Sequence, residues 1–74
     1  MKLEYLKSTD GGTILLFSFN KEEYRILIFG NDGFNIDLDF KSRKDAIDTY
    51  HDLSALEVIT EKVLKDNEFL IPKI

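Results

Sequence analysis

Cysteine is absent from this chain of 74 residues, and Pro72 is its one proline. The absence of cysteine excludes a disulfide scaffold and every zinc site built on thiolates. Long apolar runs are absent too: the longest, such as 14–17, has four residues, whereas a membrane-spanning helix needs about 20. We therefore expect a cytoplasmic protein that forms a single domain without a membrane-spanning segment.

Basic residues are also in short supply. The chain has 14 acidic residues against 10 basic ones, which gives a net charge of −4. Residues 31–61 contain eight of the acidic residues and three of the basic ones. Nonspecific binding to nucleic acids or to anionic membranes requires a basic surface, so this balance argues against both functions.

Sequence motifs of enzymes are absent as well. The chain contains no nucleophile elbow, phosphate-binding loop, zinc-binding helix or dinucleotide-binding fingerprint. His51 is the single histidine, and it has no cysteine or second histidine with which to bind a metal. So short a chain also has little room for both a core and a buried pocket. We expect a non-enzymatic protein that uses no cofactor and no metal.

Four segments have the apolar pattern of β-strands. The alternation is strictest in 34–40, where Phe, Ile and Leu alternate with Asn and Asp. Turn signals rich in glycine lie at 10–12 and 30–33, and glycine accepts the positive φ of tight hairpins. The predicted strands cover about 2–7, 13–19, 24–29 and 34–40.

Helical spacing begins after Ser42. The residues from Ser42 to Asp45 form a capping box with aspartate in place of glutamate. A second box starts at Ser54, and the apolar stripes before and after it do not share one face of a single helix. The sequence predicts helix over about 43–66, as two short helices or one bent helix. An extended tail over 67–74 should follow, because Pro72 excludes helix there.

A run of strands followed by helix predicts an α+β fold, with an antiparallel four-stranded meander. The helical segment can cover one face of such a sheet, yet the two central strands have apolar residues on both faces. The predicted patch on the second face consists of Ile14, Leu16, Leu27 and Phe29, with Arg25 at its rim. A monomer rarely exposes such a patch, so the helix or tail, a second copy in a homodimer, or another protein should cover it.

Acidic residues form a predicted stripe. Asp37 and Asp39 lie on the polar face of the fourth strand, about 6.6 Å apart. Asp45, Asp48 and Asp52 lie on one face of the predicted helix. The stripe has a spacing similar to that of phosphates along a nucleic acid, so it could attract a basic partner. The alternative is a solvated surface that only keeps the protein soluble.

A small basic group interrupts this acidic half. Lys41, Arg43 and Lys44 flank the predicted start of the helix, where backbone N–H groups and cations can hold an anion. The alternative is a solvated junction whose charges balance the nearby aspartates.

These features favour a small protein-binding module of the kind found in bacterial or phage inhibitors and regulators. It would contact a basic macromolecular partner through the apolar sheet face and the acidic stripe. The alternative hypothesis is a homodimer that binds single-stranded nucleic acid on its sheet, although Arg25 is the one basic residue of the three later strands.

Overall fold

The computed structural model describes residues 1–31 and 33–66 of the chain. Four antiparallel strands form one sheet in the order β1-β2-β3-β4, and two short helices follow. The α+β prediction is therefore confirmed. The predicted tail over 67–74 lies outside the described residues. The elements are β1 (Lys2–Thr9), β2 (Gly12–Asn20), β3 (Glu23–Gly30), β4 (Asn35–Phe40), α1 (Arg43–Ser54) and α2 (Glu61–Asp66).

The turns of the meander lie where glycine was expected to allow them. Gly11 follows β1 with a φ of +91°, and Gly33 precedes β4 with a φ of +94°. Both values lie in the left-handed region, which L-residues with a Cβ adopt at a cost. A Cβ on Gly11 would also collide with the backbone carbonyl oxygen of Ile59. Gly11 therefore permits both the turn and a close approach of the chain after α1.

The first helix begins as its sequence predicts. Ser42 is the N-cap of α1, and its Oγ accepts a hydrogen bond from the backbone N–H of Asp45 at 3.3 Å. Ala46, Tyr50 and Leu53 are the buried residues of α1, at the spacing that places them on one helix face. With this face α1 contacts β2, β3 and β4.

The helical segment divides into two helices, but its second half begins later than the sequence predicts. The predicted cap at Ser54 is wrong, because its Oγ donates to the carbonyl of His51 within α1 instead of accepting from a following N–H. The chain then leaves the helix, and Ile59 N–H donates to the carbonyl of Asp10 at 2.7 Å. The second helix starts after Thr60, whose Oγ1 accepts from the N–H of Val63.

The core lies between one face of the sheet and the two helices. Ile14 and Leu16 of β2 and Ile26 and Ile28 of β3 are fully or almost fully buried. Leu64 of α2 belongs to the same buried cluster, so both helices pack on the same side of the sheet. Within the described ranges, no helix is long and apolar enough to cross a membrane.

Candidate functional site

The face of the sheet opposite α1 is the candidate site, and we call it the open face. Strand pairing determines which residues share it. Leu15 lies opposite Leu6 on one side and Leu27 on the other. Phe17 lies opposite Leu3 and Arg25. The apolar patch of the open face comprises Leu3, Leu6, Leu15, Phe17, Phe19, Leu27 and Phe29.

The outer members of the apolar patch are substantially exposed to solvent. Leu6 retains 56% of its surface and Phe29 retains 45%. Leu15, Phe17 and Leu27 are half-buried by their neighbours on adjacent strands. Water therefore meets a continuous apolar surface that spans β1, β2 and β3.

A charged edge borders the apolar patch on the side of β4. Arg25 is its centre: Nη1 lies 3.3 Å from Asp37 Oδ2, and Nε lies 2.9 Å from Asp39 Oδ1 without the alignment of a hydrogen bond. Its Nη2 lies 3.8 Å from Glu23 Oε2. Three carboxylates surround one guanidinium, so the charged edge has a net charge of −2 if each group is ionised. The Arg25 guanidinium also lies 5.6 Å from the ring centroid of Phe19, which connects the edge to the patch.

The structure corrects the predicted membership of the apolar face. Ile14 pairs with Ile28 and Leu16 pairs with Ile26, so both residues of β2 lie in the core rather than beside Leu27. The register shift between Ser18 and Asn20 occurs close to the β2–β3 turn. On the side of this shift away from the turn, even-numbered residues of β2 pair with even-numbered residues of β3, and odd-numbered residues pair with odd-numbered ones. The predicted patch instead combines even-numbered residues of β2 with odd-numbered residues of β3.

Three members of the predicted patch do lie on the open face: Leu27, Phe29 and Arg25. The sequence-based prediction does not include the five others, which are Leu3, Leu6, Leu15, Phe17 and Phe19. The alternation of Leu15, Phe17 and Phe19 was visible in the sequence. Matching it to the correct face of β3 required the register of the hairpin.

The predicted acidic stripe is divided between two layers. Asp37 and Asp39 lie on the open face, whereas Asp45, Asp48 and Asp52 are exposed on α1, which covers the other face. Asp48 is also paired with Lys44 at 2.8 Å, one helical turn away. The five residues therefore do not form one track, and the open face has only the two aspartates of β4.

The predicted anion site is dispersed as well. Lys44 points to Asp48, and Arg43 lies 3.6 Å from Glu4 of β1. Lys41 lines a surface depression of about 370 Å³, together with Glu22, Glu23 and Asp39 and away from both of these contacts. The three cations thus lie in separate surroundings and do not enclose a common anion.

The surroundings of Glu4 shift the pKa of its carboxyl group. Its Oε2 accepts a hydrogen bond of 2.7 Å from the hydroxyl of Ser18. This bond is the largest effect and lowers the pKa of Glu4 below its ordinary value. Burial opposes it, and the charges of Lys2 and Arg43 add smaller lowering effects. Glu4 is thus held as a carboxylate between β2 and α1.

Neither a metal site nor a known relative identifies the chemistry of the open face. Among residues 1–31 and 33–66, no cluster of His, Asp and Glu side chains is arranged to hold a metal ion. Comparison with family models, with curated proteins and with solved structures finds no match to this chain. The surface itself is therefore the basis for a functional proposal.

Proposed function

We propose that this chain is a non-enzymatic protein-binding module of the cytoplasm, and that its open face binds a basic partner protein as an inhibitor or regulator. The observation that supports the proposal is the apolar patch, whose outer residues remain exposed although both described helices lie on the other side of the sheet. Burial of one such side chain stabilises a complex by roughly 1.5–3 kcal/mol. Contiguous patches of this kind are typical of interaction sites.

The size of the open face suits a small interface. Four strands at about 4.8 Å spacing and about eight residues at about 3.3 Å give a face of roughly 19 by 26 Å. Its footprint is therefore roughly 500 Å² per partner, which is the lower limit for a specific complex. A partner should accordingly contact the charged edge as well as the apolar patch.

The charged edge favours a basic partner over a second copy. Glu23, Asp37 and Asp39 exceed the charge of Arg25. On the open face of the four strands, Arg25 is the one basic residue, and all three acids already share it. A second copy that docked open face to open face would therefore offer this edge no free cation from its own strands. Each copy also carries a net charge of −4. A partner with lysine or arginine beside an apolar surface complements both features.

The experiment compares matched variants. The wild-type chain is used to capture its partner from a cell lysate, the captured protein is purified, and its affinity is measured directly. Leu6→Asp places a charge in the apolar patch, and Val58→Asp makes the same change at a residue 41% exposed outside the sheet. The double variant Asp37→Lys/Asp39→Lys reverses the charged edge, and Asp45→Lys/Asp48→Lys makes an equal charge change on α1.

The proposal predicts a captured protein with a basic surface. Its affinity should fall at least about tenfold with Leu6→Asp, the equivalent of about 1.4 kcal/mol. It should also fall with the β4 double variant, and much less with the variants at Val58 or on α1. Equal affinity for all variants, capture of nothing, or binding of a second copy or of single-stranded oligonucleotides instead would refute the proposal.

A further inference from the structure

A basic depression lies at the end of the sheet where β1 starts, β2 ends and α1 begins. Its volume is about 310 Å³, and Lys2, Lys21 and Arg43 contribute to its lining. These cations come from β1, from the β2–β3 turn and from α1. We propose that this depression binds a small anion that carries a phosphate group. This site is separate from the apolar patch and does not depend on the function proposed above.

Two of the three cations are available to a ligand. Neither Lys2 nor Lys21 forms an ion pair with a residue of the described ranges. Salt bridges neutralise much of the charge elsewhere on the described surface, as with Lys44 and Lys65, which each pair with an acid one helical turn away. Unpaired ammonium groups that converge on one depression give a positive local potential on an otherwise acidic protein.

The third cation, Arg43, makes one contact with an acid and keeps donors for a ligand. The Nη1 of Arg43 lies 3.6 Å from Glu4 Oε1, and the Arg43 side chain is 53% exposed. A guanidinium has five N–H donors in a planar fork, so one long contact leaves the remaining donors for a ligand. Glu4 lies beside the arginine at the wall of the depression, and Ser18 donates to the other oxygen of its carboxylate.

The balance of charge indicates the class of ligand. Among the described residues of the lining, Glu4 is the one acid, so with the three cations their side chains carry a net charge of +2. A phosphate group at neutral pH carries between one and two negative charges and accepts several charge-assisted hydrogen bonds in the geometry that arginine provides. This set of cations shares only Arg43 with the site expected from the sequence, because Lys41 and Lys44 point elsewhere.

The test uses inorganic pyrophosphate as the probe, titrated into the full chain at low ionic strength by calorimetry and by amide NMR shifts. Lys21→Gln and Arg43→Gln each remove one cation from the depression. Lys62→Gln makes the same charge change on α2, away from the depression. Glu4→Gln removes the lining acid and retains a side chain that can hydrogen-bond with Ser18.

Saturable binding is expected, and it should weaken about three- to tenfold with Lys21→Gln and with Arg43→Gln. Lys62→Gln should leave it nearly unchanged, and Glu4→Gln should strengthen it. If the substitutions acted only by disturbing the fold, each of them would weaken binding. A gain with Glu4→Gln would therefore show that the charge of the depression determines the affinity. Absence of saturable binding, or equal affinity in the variants at Lys21, Arg43 and Lys62, would overturn the proposal.

Discussion

At the scale of single residues, the carboxylate of Glu4 has partners on two other elements of the fold. Glu4 lies next to the register shift between Leu3 and Tyr5 in β1. Its carboxylate accepts from Ser18 of β2 and lies near Arg43 of α1. One side chain thus connects the first two strands to the first helix at the side of the sheet that α1 covers.

Ser18→Ala should raise the pKa of Glu4, because the hydroxyl of Ser18 is the largest of the effects that lower it. A carboxyl whose pKa is lower in the folded state stabilises the fold above its unfolded pKa, and this stabilisation is lost as the pH falls through the folded pKa. Wild type should therefore lose more unfolding free energy than Ser18→Ala as the pH falls below the ordinary value of 4.5.

Carboxyl ¹³C NMR titration of Glu4 measures the first effect, and urea unfolding at neutral and acidic pH measures the second. Ser8→Ala is the control, because Ser8 is an exposed residue of β1. An unchanged pKa of Glu4 in Ser18→Ala would show that the hydrogen bond does not determine it.

At the scale of elements, the segment after α1 is anchored to the first hairpin. Asp10 and Val58 form an isolated parallel bridge, and Ile59 is fully buried beside it. The close approach depends on Gly11, where a Cβ would meet the carbonyl of Ile59. This junction positions α2 on the side of the core and leaves the open face uncovered by it.

Gly11→Ala and Gly33→Ala separate backbone conformation from this contact. Both glycines have a positive φ, which costs an alanine roughly 1–2 kcal/mol. A Cβ on Gly33 would meet nothing within 4 Å. Urea unfolding should show a loss of about 1 kcal/mol for Gly33→Ala and at least about 2 kcal/mol for Gly11→Ala. Equal losses would mean that the Ile59 segment moves away at no cost.

Local signals in the sequence predict most of the elements. The turn at Gly11, the cap at Ser42 and the alternation of β4 each depend on neighbours within a few residues, and each is confirmed. The cap of the second helix was predicted at Ser54 but lies at Thr60. The bridge between Asp10 and Val58 holds 55–60 out of the helix, and no local pattern reveals such a long-range contact.

At the scale of the whole molecule, the sequence predicts a second apolar face but not its residues. Apolar residues on both faces of the central strands require such a face in any register. The register shift near Phe19 then determines which alternate set of β2 side chains lies on the second face. A shift of one residue moves every side chain of a strand to the opposite face. Leu15 and Phe17 therefore lie on the second face, where the prediction places Ile14 and Leu16. The prediction of one acidic stripe is wrong for a related reason. Local sequence patterns do not show that α1 packs on the face of the sheet opposite Asp37 and Asp39.

The solution mass of the isolated chain tests the choice of a heterologous partner. With a net charge of −4 and no free cation among the described strand residues of the open face, the chain should be a monomer at low ionic strength. About 1 M salt shortens the screening length to roughly 3 Å, so repulsion between copies should weaken and the apolar patches should associate. Sedimentation should detect this association in wild type and in Val58→Asp, but not in Leu6→Asp. A tight dimer already present at low salt would mean that a second copy occupies the open face, and the proposed function would then fail.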